Sequence, residues 1–423
     1  MRARAGRWGD PRWQLLGFAL AHVAIFAGLF RGVYSMPFSG TGLYYDYGSA
    51  LAAGHVPYRD FFVEYPPLAL AFFTLPRLAA ASFRWYYVWY QVQIVAADLV
   101  ILAALYAARP RESPPWRVLG AYTGLLLAVG PITLQQYDIF PAAFTVLAVA
   151  AFARRRDAQA AFWLALGFMA KIYPLLLAPV FLTLDTRPDG RHARAARAAL
   201  VFIATCTVIL LPLLIAAPAS LGGMYAFHAQ RGIHLDSVYS TVVFAARALG
   251  LTIAPIVFAF RSWNIGGPLA DVLTKVSPAI LAAVLLAAYW HIARSTRPLG
   301  PDRSRDVGIV AASSSLVLAA GLVGSKVLSP QYLVWLVPLL PLTVRPRRRW
   351  VWGAFGIAGL LTYYIYPLHY PQLLARQRGA IAALAARNLL LVTLAFLVAQ
   401  SIRLAASGAA PRGPSAAAGE SPV

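Results

Sequence analysis

Three carboxylates crowd into one short stretch of a chain that has few of them. Residues 46–67 read DYGSALAAGHVPYRDFFVEYPP and hold Asp46, Asp60 and Glu64, three of only 15 acidic residues in 423. Tyr44, Tyr45, Tyr47, Tyr58 and Tyr65 surround them. A carboxylate set among aromatic rings suits general-base work, taking the proton from a hydroxyl as that oxygen attacks. Asp46, Asp60 and Glu64 are therefore the candidate catalytic residues. The structural alternatives are an ion pair of Asp60 with Arg59 or Arg77, and a helix cap by Glu64 ahead of Pro66–Pro67. The segment after Asp46, YGSALAA, has the makings of a short helix lying on the membrane, and geometry favours Asp46 as the base.

Further polar groups interrupt otherwise apolar runs. In QQYDIFP (135–141), Asp138 is placed to hydrogen-bond a substrate hydroxyl or to cap the helix that follows. Lys171, in AKIYP, lies within an apolar span ahead of Pro174. Charges there are costly and mark function or snorkel to the interface. His228, Arg231 and His234 in HAQRGIHLDS recur at helical spacing, a basic face that suits a phosphate. GSKVLSPQYLVWLVP (324–338) repeats the pattern of Lys171: Lys326, then a proline-broken helix start with Gln331 and Tyr332. Asp138, Lys171, His228, Arg231, Lys326, Gln331 and Tyr332 are the candidate substrate-binding residues. Asp98, inside the second apolar run, reads as a structural partner of another span.

The elements that must hold these residues are membrane helices. The chain is 60% hydrophobic and 12% charged, with mean hydropathy +0.64. A soluble chain carries about 25% charged residues. Apolar runs recur along the whole length, so one integrated polytopic domain is expected over 1–405, followed by a disordered cytoplasmic tail over 406–423. Trp13–Val33 is too long for a signal peptide and lacks a cleavage site. Arginine clusters at Arg2–Arg12, Arg109–Arg117, Arg154–Arg156, Arg187–Arg197, Arg294–Arg305, Arg345–Arg349 and Arg403/Arg412 mark the cytoplasmic side.

An even number of crossings between successive clusters gives about twelve spans and cytoplasmic termini. They are 13–33, 86–108, 118–134, 139–153, 158–171, 173–184, 199–217, 276–293, 307–325, 331–344, 350–367 and 382–402. Several are shorter than the roughly 20 residues a bilayer requires, so neighbours or a cavity must shield them. Residues 66–82 and 240–260 are then interfacial or re-entrant helices on the outer side, and the first outer loop is 34–85. The net charge of +22 is topological, since it sits in short loops. The single cysteine, Cys206, excludes an intrachain disulfide. There is no glycine-rich phosphate loop, and no cofactor is expected; a divalent metal lacks a ligand pattern.

As a set, GHVPYRDFFVEYPPLAL, YDIFPAAFTVLAVAAF, GFMAKIYPLLLAP, HAQRGIHLDSVYS and KVLSPQYLVWLVP resemble glycosyltransferase family 87, the polyprenyl-phosphate-mannose-dependent mannosyltransferases of actinobacteria. The resemblance covers most of 34–345. It implies a C-type membrane glycosyltransferase fold and an inverting transfer of a hexose, mannose foremost, from a polyprenyl-phosphate donor. The acceptor would be an extracytoplasmic lipid or glycan hydroxyl, with the active site on the outer face. It also implies a departure. The family's catalytic aspartate falls early in the first outer loop, and by spacing back from Gly54 that position is Gly40 here. The more distant glycosylphosphatidylinositol mannosyltransferase I has a second aspartate at a spacing that matches Asp46. The other readings are a lipid-linked-sugar flippase or transporter and an inactive paralogue. The acids lie in an outer loop, without the matching halves of a transporter; Gly40 supports the inactive paralogue. Membrane lipids are partners in every case, and nucleic acid in none.

Overall fold

The computed structural model describes residues 10–33, 40–110, 113–185, 190–218, 222–296, 307–343 and 347–408. Helices dominate them. Seven are long and apolar enough to cross a membrane: α1 (Pro11–Val33), α4 (Phe83–Ala108), α10 (Arg191–Ala216), α13 (Pro268–Ser295), α14 (Val307–Gly324), α15 (Arg348–Tyr363, continued by a wider turn over Tyr364–Leu368) and α17 (Arg378–Gly408). The five other expected spans follow shorter elements. These are α5 (Pro115–Val129), α7 (Ile139–Ala153), α8 (Asp157–Ala170), the 3-10 turn Tyr173–Leu176 running into α9 (Leu177–Leu184), and the turns Pro330–Trp335 and Leu340–Leu342.

The short elements survive because they are not left alone in lipid. Every residue of α7 but Phe144 and Leu147 is buried, and α8, α4 and α14 pack around it. α14 is mostly buried, whereas α1, α10 and α13 present nearly all of their surface outward. α1, α10 and α13 thus form the outward-facing wall, and α7 and α14 fill the middle. Proline fits at the first turn of α3 (Pro67–Ala79), α5 and α13, where its missing N–H has no helical partner to lose. Asp98 of α4 is satisfied across the wall: His22 Nδ1 of α1 lies 2.8 Å from one carboxylate oxygen, and the Tyr122 hydroxyl of α5 donates to the other at 2.6 Å.

Amphipathic pieces gather at one end of the bundle. α2 (Thr41–Ala52) packs on α3 (Pro67–Ala79) so closely that a Cβ at Gly48 would stand 2.3 Å from the Phe73 carbonyl oxygen. α2 begins ahead of Asp46, earlier than the segment expected to be helical. At the same end lie the four-residue α6 (Ile132–Gln135), α11 (Gly222–Gln230), α12 (Val238–Ala248) and α16 (Tyr370–Leu374).

A small antiparallel sheet is the exception to the all-helical expectation. Its order is β1 (Ile233–His234), β3 (Ser262–Ile265), β2 (Ile256–Ala259), with Ile233 opposite Ile265 and Val257 opposite Asn264. Residues 240–260 are accordingly not one interfacial helix. α12 stops at Ala248, and the stretch with Gly250 at φ +73 and Pro255 leads into a strand. The expected tail is helical as far as Gly408; 409–423, and with them Arg412, lie outside the described residues, as do Arg2, Arg4 and Arg7.

Candidate active site

Helix ends converge on a cavity of about 750 Å³. Its lining draws on the start of α2, the loop before α3, the ends of α8 and α14, the middle of α13 around Pro278, and the β2–β3 hairpin. Polarity in this cavity comes from side chains that the surrounding loops hold in place.

Glu64 is the carboxylate of the first loop that reaches the cavity. Its neighbour Val63 is fully buried, the Tyr58 hydroxyl donates to the Tyr65 carbonyl at 2.5 Å, and Pro66–Pro67 open α3. The loop is therefore pinned on both sides of Glu64. Arg261 Nη1 donates to Glu64 Oε2 at 3.1 Å and also to the Tyr47 hydroxyl. Burial raises the Glu64 carboxyl, while the charges of Arg261 and Arg231 pull it partly back. His228 Nε2 lies 2.9 Å from the Glu64 backbone oxygen, and burial lowers that imidazole.

The other two candidates in the loop lie elsewhere. Asp46 is exposed on α2, on the side away from buried Tyr44 and Tyr47, and does not line the cavity. Asp60 is also outside it. It accepts from Arg59 Nε at 2.8 Å and from the Val56 backbone N–H at 2.7 Å. The Arg59 guanidinium and that N–H hold its carboxyl down to about 2.

Asp138 and Lys171 form one unit. Asp138 sits at the cap position of α7 but makes no side-chain cap bond. Its Oδ1 instead receives Lys171 Nζ at 2.5 Å and Trp335 Nε1 at 2.6 Å, and its buried Oδ2 has no partner. The ammonium stands 4.7 Å from the Tyr137 ring centroid, 4.8 Å from Tyr332 and 5.5 Å from Trp335. α8 ends at Ala170, and Lys171 is extended (φ −158°), which turns the side chain into the cavity.

His228, Arg231 and His234 do reach the cavity together, but not on one helix. α11 stops at Gln230, and His234 belongs to β1, where cross-strand pairing overrides the helical spacing. Arg231 is 9% exposed, and its Nε has no hydrogen-bond partner. His234 is a poor anion ligand. Its Nδ1 accepts the Asp236 N–H at 3.3 Å, and burial pushes the ring down to about 3, so it is neutral. The 3.6 Å approach of His234 to Asp236 is therefore no ion pair. Lys326 Nζ donates to the Ala229 carbonyl at 2.8 Å, and Gln331 and Tyr332 line the same cavity.

Two residues of this site had no motif to mark them. Arg261 is the second residue of a two-residue hairpin turn, with Phe260 at φ +52° and Arg261 at φ +55°. Such turns favour Asn and Gly, so a Phe–Arg pair there is strained, a feature that clusters at functional sites. Asp236 is buried; the Tyr370 hydroxyl donates to its Oδ2 at 3.1 Å, Arg387 Nη2 lies 3.6 Å from Oδ1, and burial pushes the carboxyl up to about 6. The only sequence signal was that LDS follows the histidines.

Gly40 also lines the cavity. A Cβ there would meet Gln136 Oε1 at 3.0 Å and the Tyr44 hydroxyl at 3.2 Å. These two groups are hydrogen-bonded to each other at 2.7 Å and fill the space beside the glycine.

Among the described residues, seven helices long and apolar enough to span, with a cavity at one end of the bundle, define a polytopic membrane protein. Residues 62–270 match the model of glycosyltransferase family 87. No curated protein matches the chain significantly. Among solved structures, the crystal structure of ArnT from Cupriavidus metallidurans in the apo state is 15% identical, with a TM-score of 0.47 over 92% of this chain and 77% of that one. A likeness at that level carries no functional argument.

Proposed function

We propose that this protein moves a hexose, mannose by its family resemblance, from a polyprenyl-phosphate donor to a lipid or glycan hydroxyl, with inversion. The observation that carries the reading is the pairing of a half-buried carboxylate and a buried guanidinium in one cavity. Glu64 is a carboxylate whose burial raises its proton affinity, and Arg231 is a guanidinium with an unpartnered Nε. Glu64 is the base that takes the acceptor proton. Arg231, with Lys326 and Lys171, receives the phosphate, which leaves as an anion and needs cationic donors in a poorly solvated place, while His228, its imidazole lowered by burial, lines the cavity beside them. Arg261 holds Glu64 in position. The stacked pair Tyr173 and Trp335, with centroids 4.0 Å apart, offers an aromatic wall for a sugar face. The arginine-rich ends of the spans lie away from the cavity end, and this supports an extracytoplasmic site.

The test is turnover in reconstituted membranes with several polyprenyl-phosphate sugars. Glu64→Gln lowers turnover by roughly 10²–10⁴-fold with donor binding kept, because the amide cannot take a proton. Arg231→Ala raises the apparent KM for donor at saturating acceptor. Asp46→Asn, remote from the cavity, stays near parental activity. A Glu64→Gln variant that turns over normally while Asp46→Asn is dead would reverse the assignment. Gly40 favours a second reading, a binder of lipid-linked sugar without transfer. A parent that binds donor by calorimetry but consumes none of them would support it.

A further inference from the structure

An apolar surface stands outside the bundle at the cavity end. After α12 the chain passes through Leu249, Leu251 and Ile253, which are 75%, 76% and 66% exposed. On β2, Val257 and Phe258 are 50% and 59% exposed. Beneath it the chain is packed, with Val243 and Phe244 of α12 and Ala254 of the segment itself buried. The segment is thus folded, and its large apolar side chains point away from the protein by construction. Large apolar groups clustered in this way mark an interaction surface.

Its position identifies what covers it. The Ile253 carbonyl oxygen lies 2.4 Å from where a Cβ on Gly267 would stand, and Gly267 directly precedes α13. The loop therefore lies across the first turn of a helix that is apolar and long enough to span. α13 continues the exposed apolar surface through Val272, Val276 and Ile280. A surface continuous with the outward side of a span, at the end of that span, sits at the boundary of headgroups and acyl chains. Arg247 and Lys275 are exposed beside it, where phosphate headgroups would lie.

We propose that the loop Leu249–Ile253 and the outer side of β2 dock into the membrane leaflet on the cavity side, as an interfacial anchor. Phe258 also lines the cavity, so the anchor sets the mouth of the cavity against lipid. The inference depends on α13 spanning the membrane and not on the transfer reaction.

The experiment uses the full chain with Cys206→Ser, in nanodiscs of phosphatidylcholine and phosphatidylglycerol. Single cysteines replace Leu249, Leu251 and Ile253 in turn and carry a nitroxide. Three exposed positions keep the test alive if one variant folds poorly. A fourth label replaces exposed His55 as the reference. Collision with oxygen, which partitions into lipid, is compared with collision with a water-soluble nickel chelate. Docking predicts oxygen-to-nickel ratios at all three positions several-fold above that at His55. Nickel accessibility equal to that at His55 would place the loop in water and overturn the proposal. Low collision with both reagents would show a protein covering the patch, a second copy or another chain, and would overturn it equally.

Discussion

Glu64 is distinguished from Asp46 and Asp60 by its surroundings alone. All three are carboxylates in one loop, but only Glu64 lines the cavity, half-buried, with a cation facing it. Burial raises its proton affinity and Arg261 lowers it, so the two effects oppose. A base must be deprotonated, so activity falls as pH drops through the Glu64 pKa, which burial has raised. Arg261→Gln removes the opposing charge, and the acid limb of the kcat/KM profile then moves to higher pH. Profiles of parent and variant measured between pH 4 and 8 check this. A limb that stays in place, or moves to lower pH, would separate Arg261 from Glu64 and reassign the limb to another group.

At the scale of elements, the cavity depends on close helix contact and on a compensated pair of buried groups. Gly48 lets α2 lie against α3, and a methyl there has backbone as its obstacle, which cannot swing aside. Gly48→Ala should destabilise the fold by about 1–3 kcal/mol, the usual range for overpacking. Thermal unfolding in detergent reads it directly, and an unchanged midpoint would mean the helices separate freely. The strand end carrying His234 and Asp236 sets a pH dependence. Asp236, raised from 3.8 to about 6, binds more protons folded than unfolded, so its contribution weakens as pH rises through that window. His234, lowered from 6.5 to about 3, binds fewer folded, so its contribution strengthens as pH rises. The two slopes offset one another between about pH 4 and 6. Asp236→Asn leaves the histidine slope alone, and the variant's unfolding midpoint should climb with pH there while the parent's stays nearly flat.

Over the whole molecule, alternation of the spans puts the cavity at one end and the described arginine clusters at the other. Exposed His55 and Gln159 lie near opposite ends of this arrangement. With Cys206 replaced by serine, His55→Cys should react with an impermeant thiol reagent in whole cells, and Gln159→Cys only after lysis. The reverse pattern would turn the bundle over and place the cavity in the cytoplasm, where an extracytoplasmic acceptor could not reach it.

The sequence by itself determined the helical, membrane-spanning class, the polar interruptions and the likeness to glycosyltransferase family 87 over residues 62–270. Hydrophobic runs and proline breaks act locally, so Lys171 at the end of α8 and Asp98 as a structural partner were legible from them. Only the tertiary structure decided which carboxylate faces the cavity, because burial depends on which elements pack over a loop. Asp46 and Glu64 differ in sequence by little, yet α2 turns one outward while the pinned loop turns the other inward. Arg261 and Asp236 were invisible for the same reason. Their partners lie 197 and 151 positions away in the chain, and no local pattern records a contact made across that distance.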